Sequence, residues 1–186
     1  LALCLLALAL VLALAGCGGG SRPTGIRAAE TPADDVAEYQ PRWRSHTVDS
    51  TQYRKVFLAG TIDMGRSADW QAALVARFRD SIGGRWLFFN PRRREFHASP
   101  AEMEYQVAWE LAHLEAADLI VMNLLGDSRS PISLLEMGLY ARSGKLFVAC
   151  SPDYYRYDNV RITCRRYGVP LYDSLTALLD DLPQQS

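Results

Sequence analysis

Glu136 stands in the run Ser130-Pro-Ile-Ser-Leu-Leu-Glu-Met-Gly-Leu-Tyr-Ala-Arg-Ser-Gly-Lys145, a carboxylate among apolar residues in the first turns of an expected helix. A carboxylate is costly in such company unless it has a partner or a task; the alternative is an ordinary first-turn acid favoured by the helix dipole. A second carboxylate, Glu110, falls mid-helix in Trp109-Glu-Leu-Ala-His-Leu114. It shares a face with Leu114, four residues on, which aims it toward the sheet edge. Paired carboxylates suit carbohydrate or nucleoside chemistry, one acting at the anomeric carbon and the other on the leaving group's proton. Acyl transfer fits less well: there is no Ser-His-Asp order with a nucleophile elbow, and His113 reads as a surface residue rather than a base.

Other residues are candidates for binding. Gly60-Thr-Ile-Asp-Met-Gly65 has two glycines, which permit unusual backbone angles and close ligand approach. Asp63 can bind a sugar hydroxyl or cap the next helix, although Ser67 and Asp69 are better placed as caps. Trp70 either stacks on a base or joins the core. Asn90-Pro-Arg-Arg-Arg94 offers Asn90 and Arg92 beside an anion such as a nucleotide phosphate, or else forms a solvated loop or a subunit contact. No cofactor is expected, because the glycines form neither a dinucleotide fingerprint nor a phosphate loop with its lysine. No metal is expected either, since Cys150 and Cys164 have no His at ligand spacing.

These residues need a scaffold that gathers them at one edge, and the alternation from Lys55 onward supplies it. Val56–Ala59, Trp86–Phe89, Leu119–Leu125, Leu146–Ala149 and Val169–Tyr172 read as strands. Between and after them, helices are expected over Ala68–Ile82, Pro100–Ala117 (Ser99 as N-cap), Ile132–Ser143, Asn159–Tyr167 and from Ser174 to Leu182. Leu134, Leu135 and Leu139, with Gly138 and Ala141, are expected to face the core. The alternation predicts an α/β fold of three layers, a five-stranded parallel sheet in the flavodoxin-like, Rossmann-like order 2-1-3-4-5. In that order the loops at Gly60–Ser67, Gly126–Ser130 and Ser151–Asp158 share one edge, where such sheets bind ligands.

Ahead of this domain lies a different kind of sequence. Leu1–Ala15 is nearly all Leu and Ala, shorter than the ~20 residues of a membrane span, and reads as the apolar region of a secretory signal. No initiator Met or basic region precedes it, so the sequence is expected to lack its first residues. Leu14-Ala-Gly-Cys17 resembles the lipobox of bacterial lipoproteins, followed by Gly18-Gly-Gly-Ser21. That resemblance implies cleavage before Cys17, a lipid on Cys17 such as palmitate, and a location on the membrane of the cell envelope, at its periplasmic side or the cell surface. The expected organisation is a signal peptide over 1–16, a flexible tether over 17–52 with a short helix near Asp34–Tyr39, and a folded domain over 53–186. The formal net charge of −1 gives no basic field for nucleic acid. Export permits a Cys150–Cys164 disulfide, with two buried free thiols as the simpler expectation.

Phe57-Leu-Ala-Gly-Thr-Ile-Asp-Met-Gly65 with Asp69-Trp-Gln71, Asn90-Pro-Arg-Arg93, Trp109-Glu-Leu111 with Ala117-Asp118, the Ser130–Lys145 run, and Asn159-Val160 with Cys164–Pro170 together resemble the nucleoside 2-deoxyribosyltransferase-like family. The resemblance implies a nucleoside or nucleotide substrate, with Glu136 as the nucleophile that forms a glycosyl-enzyme intermediate. It makes Glu110 the acid that protonates the departing base, with Asp127 as the alternative acid/base. Asn159 would bind the sugar in a neighbouring subunit's site, implying a homodimer or higher homo-oligomer, while Gly60, Asp63 and Trp70 would contact base and sugar. Two positions depart from the family's pattern. Phe57 stands where a tyrosine is usual, and Ser130-Pro-Ile-Ser133 stands where an aspartate is usual shortly before the nucleophile, leaving Ser133 as the polar candidate there. A ligand-binding lipoprotein without turnover is the alternative function.

Overall fold

The strands from Arg54 onward are apolar on both faces, so helices must cover the sheet from either side. The computed structural model describes residues 35–81, 84–93, 95 and 97–182. The expected signal segment, Cys17 and the first half of the expected tether, residues 17–34, lie outside the described residues, as does Arg94. The elements are β1 (Val36–Gln40), β2 (Trp43–Arg44), β3 (Arg54–Gly60), α1 (Trp70–Ser81), β4 (Trp86–Phe89), α2 (Pro100–Ala116), β5 (Leu119–Leu124), α3 (Pro131–Tyr140), β6 (Leu146–Cys150), α4 (Tyr157–Tyr167), β7 (Leu171–Tyr172) and α5 (Leu175–Asp181).

The sheet runs β2-β1-β4-β3-β5-β6-β7. Its last five strands, β4-β3-β5-β6-β7, are the expected 2-1-3-4-5 order, and all pair in parallel. The strand sides alternate along β3. Phe57 and Ala59 join the core under α2, α3 and α4, with Leu114, Met137, Val160 and Cys164. Val56 and Leu58 join the opposite core, with Trp70, Leu74 and Phe78 of α1 and Leu178 and Leu179 of α5. The three-layer expectation holds on this basis. Caps fall where the sequence placed them: Ser99 accepts from the Glu102 amide, Ser174 accepts from the Ala177 amide, and Gly168 ends α4 in the left-handed region. No helix among the described residues is long and apolar enough to cross a membrane.

The structure corrects the expected sheet in one respect: it has seven strands, not five. β1 and β2 lie within the 17–52 stretch read as a tether, and β1 replaces the short helix expected near Asp34–Tyr39. A helix of one or two turns is marginal alone, whereas a strand here pairs with β4 over Val36–Tyr39 and covers what would be an open edge. Glu38 in mid-strand disguised it, and that carboxylate is buried because Asn90 Nδ2 donates to it at 2.8 Å.

A second correction concerns α3. Leu135 and Leu139 are 60% and 58% exposed, and the buried face is Ser133, Glu136, Met137 and Ala141. The helix phase is set by the loop that launches it, not by which residues are greasiest. Cys150 and Cys164 are both buried free thiols.

Candidate active site

Gly60 closes β3 with φ 124°, and a Cβ there would lie 2.2 Å from the Asn123 carbonyl oxygen. Only glycine lets β3 and β5 approach so closely where the site begins. The next residue, Thr61, is fully buried and starts a knot of hydroxyls. Its Oγ1 accepts from the Leu125 amide at 3.0 Å and lies 2.8 Å from Ser128 Oγ and 2.9 Å from Ser130 Oγ. Ser128 and Ser130 are themselves 2.9 Å apart. Tyr154, from the loop after β6, donates its hydroxyl to the Arg129 carbonyl at 2.7 Å. Burial pushes that hydroxyl's pKa up, and Asp63 is among the charges that add to the shift. The three loops expected at one edge therefore meet there.

The knot holds Ser130 at φ 39°, a left-handed conformation that non-glycine residues adopt only under such constraint. Pro131 follows as the first helical residue, where its missing N–H costs nothing. Starting α3 from this pinned point turns Ser133 and Glu136 inward. Glu136 is 8% exposed, and no hydrogen bond reaches its carboxyl among the described residues. Burial, and then the charge of Glu110, push its pKa up from 4.5 to about 8.

Glu110 comes from α2 on the same face of the sheet. Burial raises its pKa too, opposed by a 2.7 Å hydrogen bond from Gln106 Nε2 and by the charge of Arg93. The Glu110 charge acts on Glu136, which puts the two carboxyls within electrostatic reach of each other. Glu110 has a donor in Gln106 and a nearby cation in Arg93, both of which favour its charged form. Glu136 has neither, and with its pKa near 8 it holds a proton at neutral pH.

The other expected site residues divide. Gly60, Ser133, Glu110 and Glu136 gather around this edge, and Asp63 sits in the loop above Tyr154. Asp63 and Met64 have φ of 47° and 54°, a strained turn ahead of Gly65. Arg92 braces that turn: its guanidinium donates to the carbonyls of Gly65, Ser67 and Ala68 at 3.2, 2.7 and 3.1 Å, and lies 3.6 Å from the Asp69 carboxylate. Trp70 is core, with its indole N–H donating to the Thr61 carbonyl at 2.9 Å. Asn90 is buried and turned toward Glu38 of β1. Asp127 is exposed at its loop. Asn159 is exposed on α4, where it lines a groove of about 280 Å³ with Leu134, Met137 and Arg156, and Glu136 is not part of that lining.

His113, read as a surface residue, is half-buried. Its ring stacks on Trp109 at 3.9 Å, its Nδ1 meets the Trp109 carbonyl at 2.7 Å, and burial lowers its pKa. Phe57 is fully buried, with its ring centroid 6.3 Å from that of Trp109. Sequence reasoning missed Thr61, Ser128, Tyr154 and Gln106. The available signal was a Thr and two Ser at the ends of adjacent strands in what should be an apolar neighbourhood. Among the described residues no group of three or more His, Cys, Asp or Glu is placed to hold a metal ion.

No curated protein matches the chain. A family model described as nucleoside 2-deoxyribosyltransferase like matches residues 53–154, more than half of the 186 residues. The match spans the Gly60 loop, Arg92, Glu110, the hydroxyl knot and Glu136, and it stops before Asn159. The chain belongs to the nucleoside 2-deoxyribosyltransferase-like family.

Proposed function

We propose that this chain cleaves or exchanges the N-glycosidic bond of a nucleoside or nucleotide, with Glu136 as nucleophile and Glu110 as acid/base. Family membership supports the nucleoside substrate and a glycosyl-transferase-like reaction. The observation that carries the finer reading is the buried Glu136 carboxyl beside Glu110 at the start of α3. Asp127 is the weaker acid/base candidate, because it is exposed and its charge is not among those acting on Glu136.

The step begins with the single proton of the pair moving from Glu136 to Glu110. The Glu136 carboxylate then forms a bond to C1′ as the C1′–N bond breaks. The bonding electrons go to the base nitrogen, which takes the proton from Glu110. Water or a second base next attacks C1′ and gives its proton to Glu110, and the ester to Glu136 breaks. Two displacements retain configuration, which calls for carboxyls about 5 Å apart in the working complex. Water as acceptor makes the chain an N-glycosidase, and a base makes it a transferase.

The same reading extends to the chain's surroundings. The lipobox-like Leu14–Cys17 supports lipid attachment at Cys17 and action at the envelope. Ile132, Leu135 and Leu139 of α3 and Met103, Val107 and Leu111 of α2 are exposed apolar rows on helices of one sheet face. They support a homodimer or higher homo-oligomer formed through this face, with Asn159 supplying a sugar contact to a neighbour.

One experiment tests the core of this: incubate residues 22–186 with mixed nucleosides and nucleotides and follow free base by mass spectrometry. Release by the wild type and none by folded Glu136→Ala supports the mechanism; equal release by the two removes it. A second reading, ligand binding without turnover, is favoured by the lack of any donor holding Glu136 ionised. Saturable nucleoside binding with no free base would establish it.

A further inference from the structure

Glu102, Gln106 and Glu110 follow at four-residue spacing on α2 and therefore share a face. They form one polar chain that begins in the β1–β2 hairpin. Arg42 Nη2 donates to Glu102 Oε1 at 2.8 Å, and Arg93 Nη1 lies 2.5 Å from Glu102 Oε2. Arg93 Nε donates to Gln106 Oε1 at 2.5 Å. Gln106 Nε2 then makes both of its bonds, to the Pro91 carbonyl at 3.0 Å and to Glu110 Oε1 at 2.7 Å.

This arrangement leaves the Gln106 amide a single orientation. Arg93 can only donate, so the amide oxygen must face it. The Pro91 carbonyl can only accept, so an amide N–H must face that side. The second N–H is thereby committed to Glu110 Oε1, which acts as an acceptor whether or not Glu110 is ionised. A proton on Glu110 has to sit on Oε2.

We propose that Gln106 is a positioning residue for the acid/base step, fixing the plane of the Glu110 carboxyl and confining its transferable proton to Oε2. The inference rests on the reading of Glu110 as the acid/base group. Its consequence is directional: the proton reaches the leaving base from one defined oxygen, and the hairpin, which lies outside the family match, helps to hold the geometry through Arg42 and Glu102. Misplacing a reacting group by about 1 Å is enough to slow such a step by roughly 100-fold.

The test uses the full chain with Gln106→Met, which keeps the bulk and removes the amide, and Gln106→Glu, which keeps the contact to Arg93 and turns an acceptor toward Glu110. Two readouts are followed: the pH titration of the ¹³C-labelled Glu110 carboxyl, assigned with Glu110→Gln, and the pH profile of base release. The inference expects the Glu110 midpoint to rise in Gln106→Met and further in Gln106→Glu. It also expects kcat to fall roughly 10- to 100-fold with little change in KM. A Glu110 midpoint that stays put in either folded variant overturns it. A wild type that releases no base overturns the functional reading instead, and the ¹³C titration still decides the role of Gln106.

Discussion

Replacing Glu136 by glutamine tests the electrostatics of the site without relying on turnover. Glu136 is 8% exposed, and the pKa of its carboxyl is pushed from 4.5 to about 8 by burial first and by the Glu110 charge second. Between those two pH values the folded chain holds a proton that the unfolded chain has released. The raised value makes its stabilising contribution complete below about pH 4.5; the contribution is lost progressively as pH rises and is gone once pH passes 8. Each pH unit of that window corresponds to about 1.36 kcal/mol, so the loss is on the order of 5 kcal/mol, a large share of a typical domain's stability of about 5–15 kcal/mol. Glutamine has nearly the same shape and no charge to bury. Urea unfolding of the wild type and Glu136→Gln at pH 5, 7 and 9 is the assay. Near pH 5 the two should differ little, and at pH 9 the variant should be more stable by several kcal/mol while releasing no base. Parallel stability curves across this range would refute the claim that Glu136 is buried without a donor.

Base release should follow a bell-shaped pH profile with an alkaline limb near pH 8, where the pair loses its last proton and Glu110 can no longer protonate the leaving base; a rate still rising at pH 9 contradicts this. Gly60→Ala should cost roughly 3 kcal/mol or more in thermal unfolding, because the new Cβ would meet the Asn123 carbonyl oxygen at 2.2 Å in a left-handed backbone. Thr61→Val removes the oxygen that Leu125 N–H, Ser128 and Ser130 share and should destabilise by about 1–3 kcal/mol, with Thr61→Ser restoring most of it. Leu135→Glu together with Leu139→Glu should shift the chain toward monomer in light scattering without lowering its melting temperature; an unchanged assembly mass would remove α3 from the interface.

Local chemistry determined much of this protein from the sequence alone. Apolar runs of strand length alternating with capped helices set the five parallel strands and their order, because both sheet faces need cover and crossovers have one hand. Ser99, Gly168 and Ser174 marked helix ends for reasons confined to a single turn of backbone. The position of Glu136 at the mouth of the sheet followed from the same logic. What depended on distant partners could not be read this way. β1 needs Asn90, fifty-two residues away, to accommodate Glu38. Arg92 resembled an anion ligand until its donors met the carbonyls of Gly65, Ser67 and Ala68. The rotation of α3, which puts Glu136 inside and Leu135 outside, comes from a knot tying Thr61 to Ser128 and Ser130. Periodicity says that a helix has a face, but the contacts that pin its first residue decide which face turns inward, and those contacts exist only once three strand ends have been brought together.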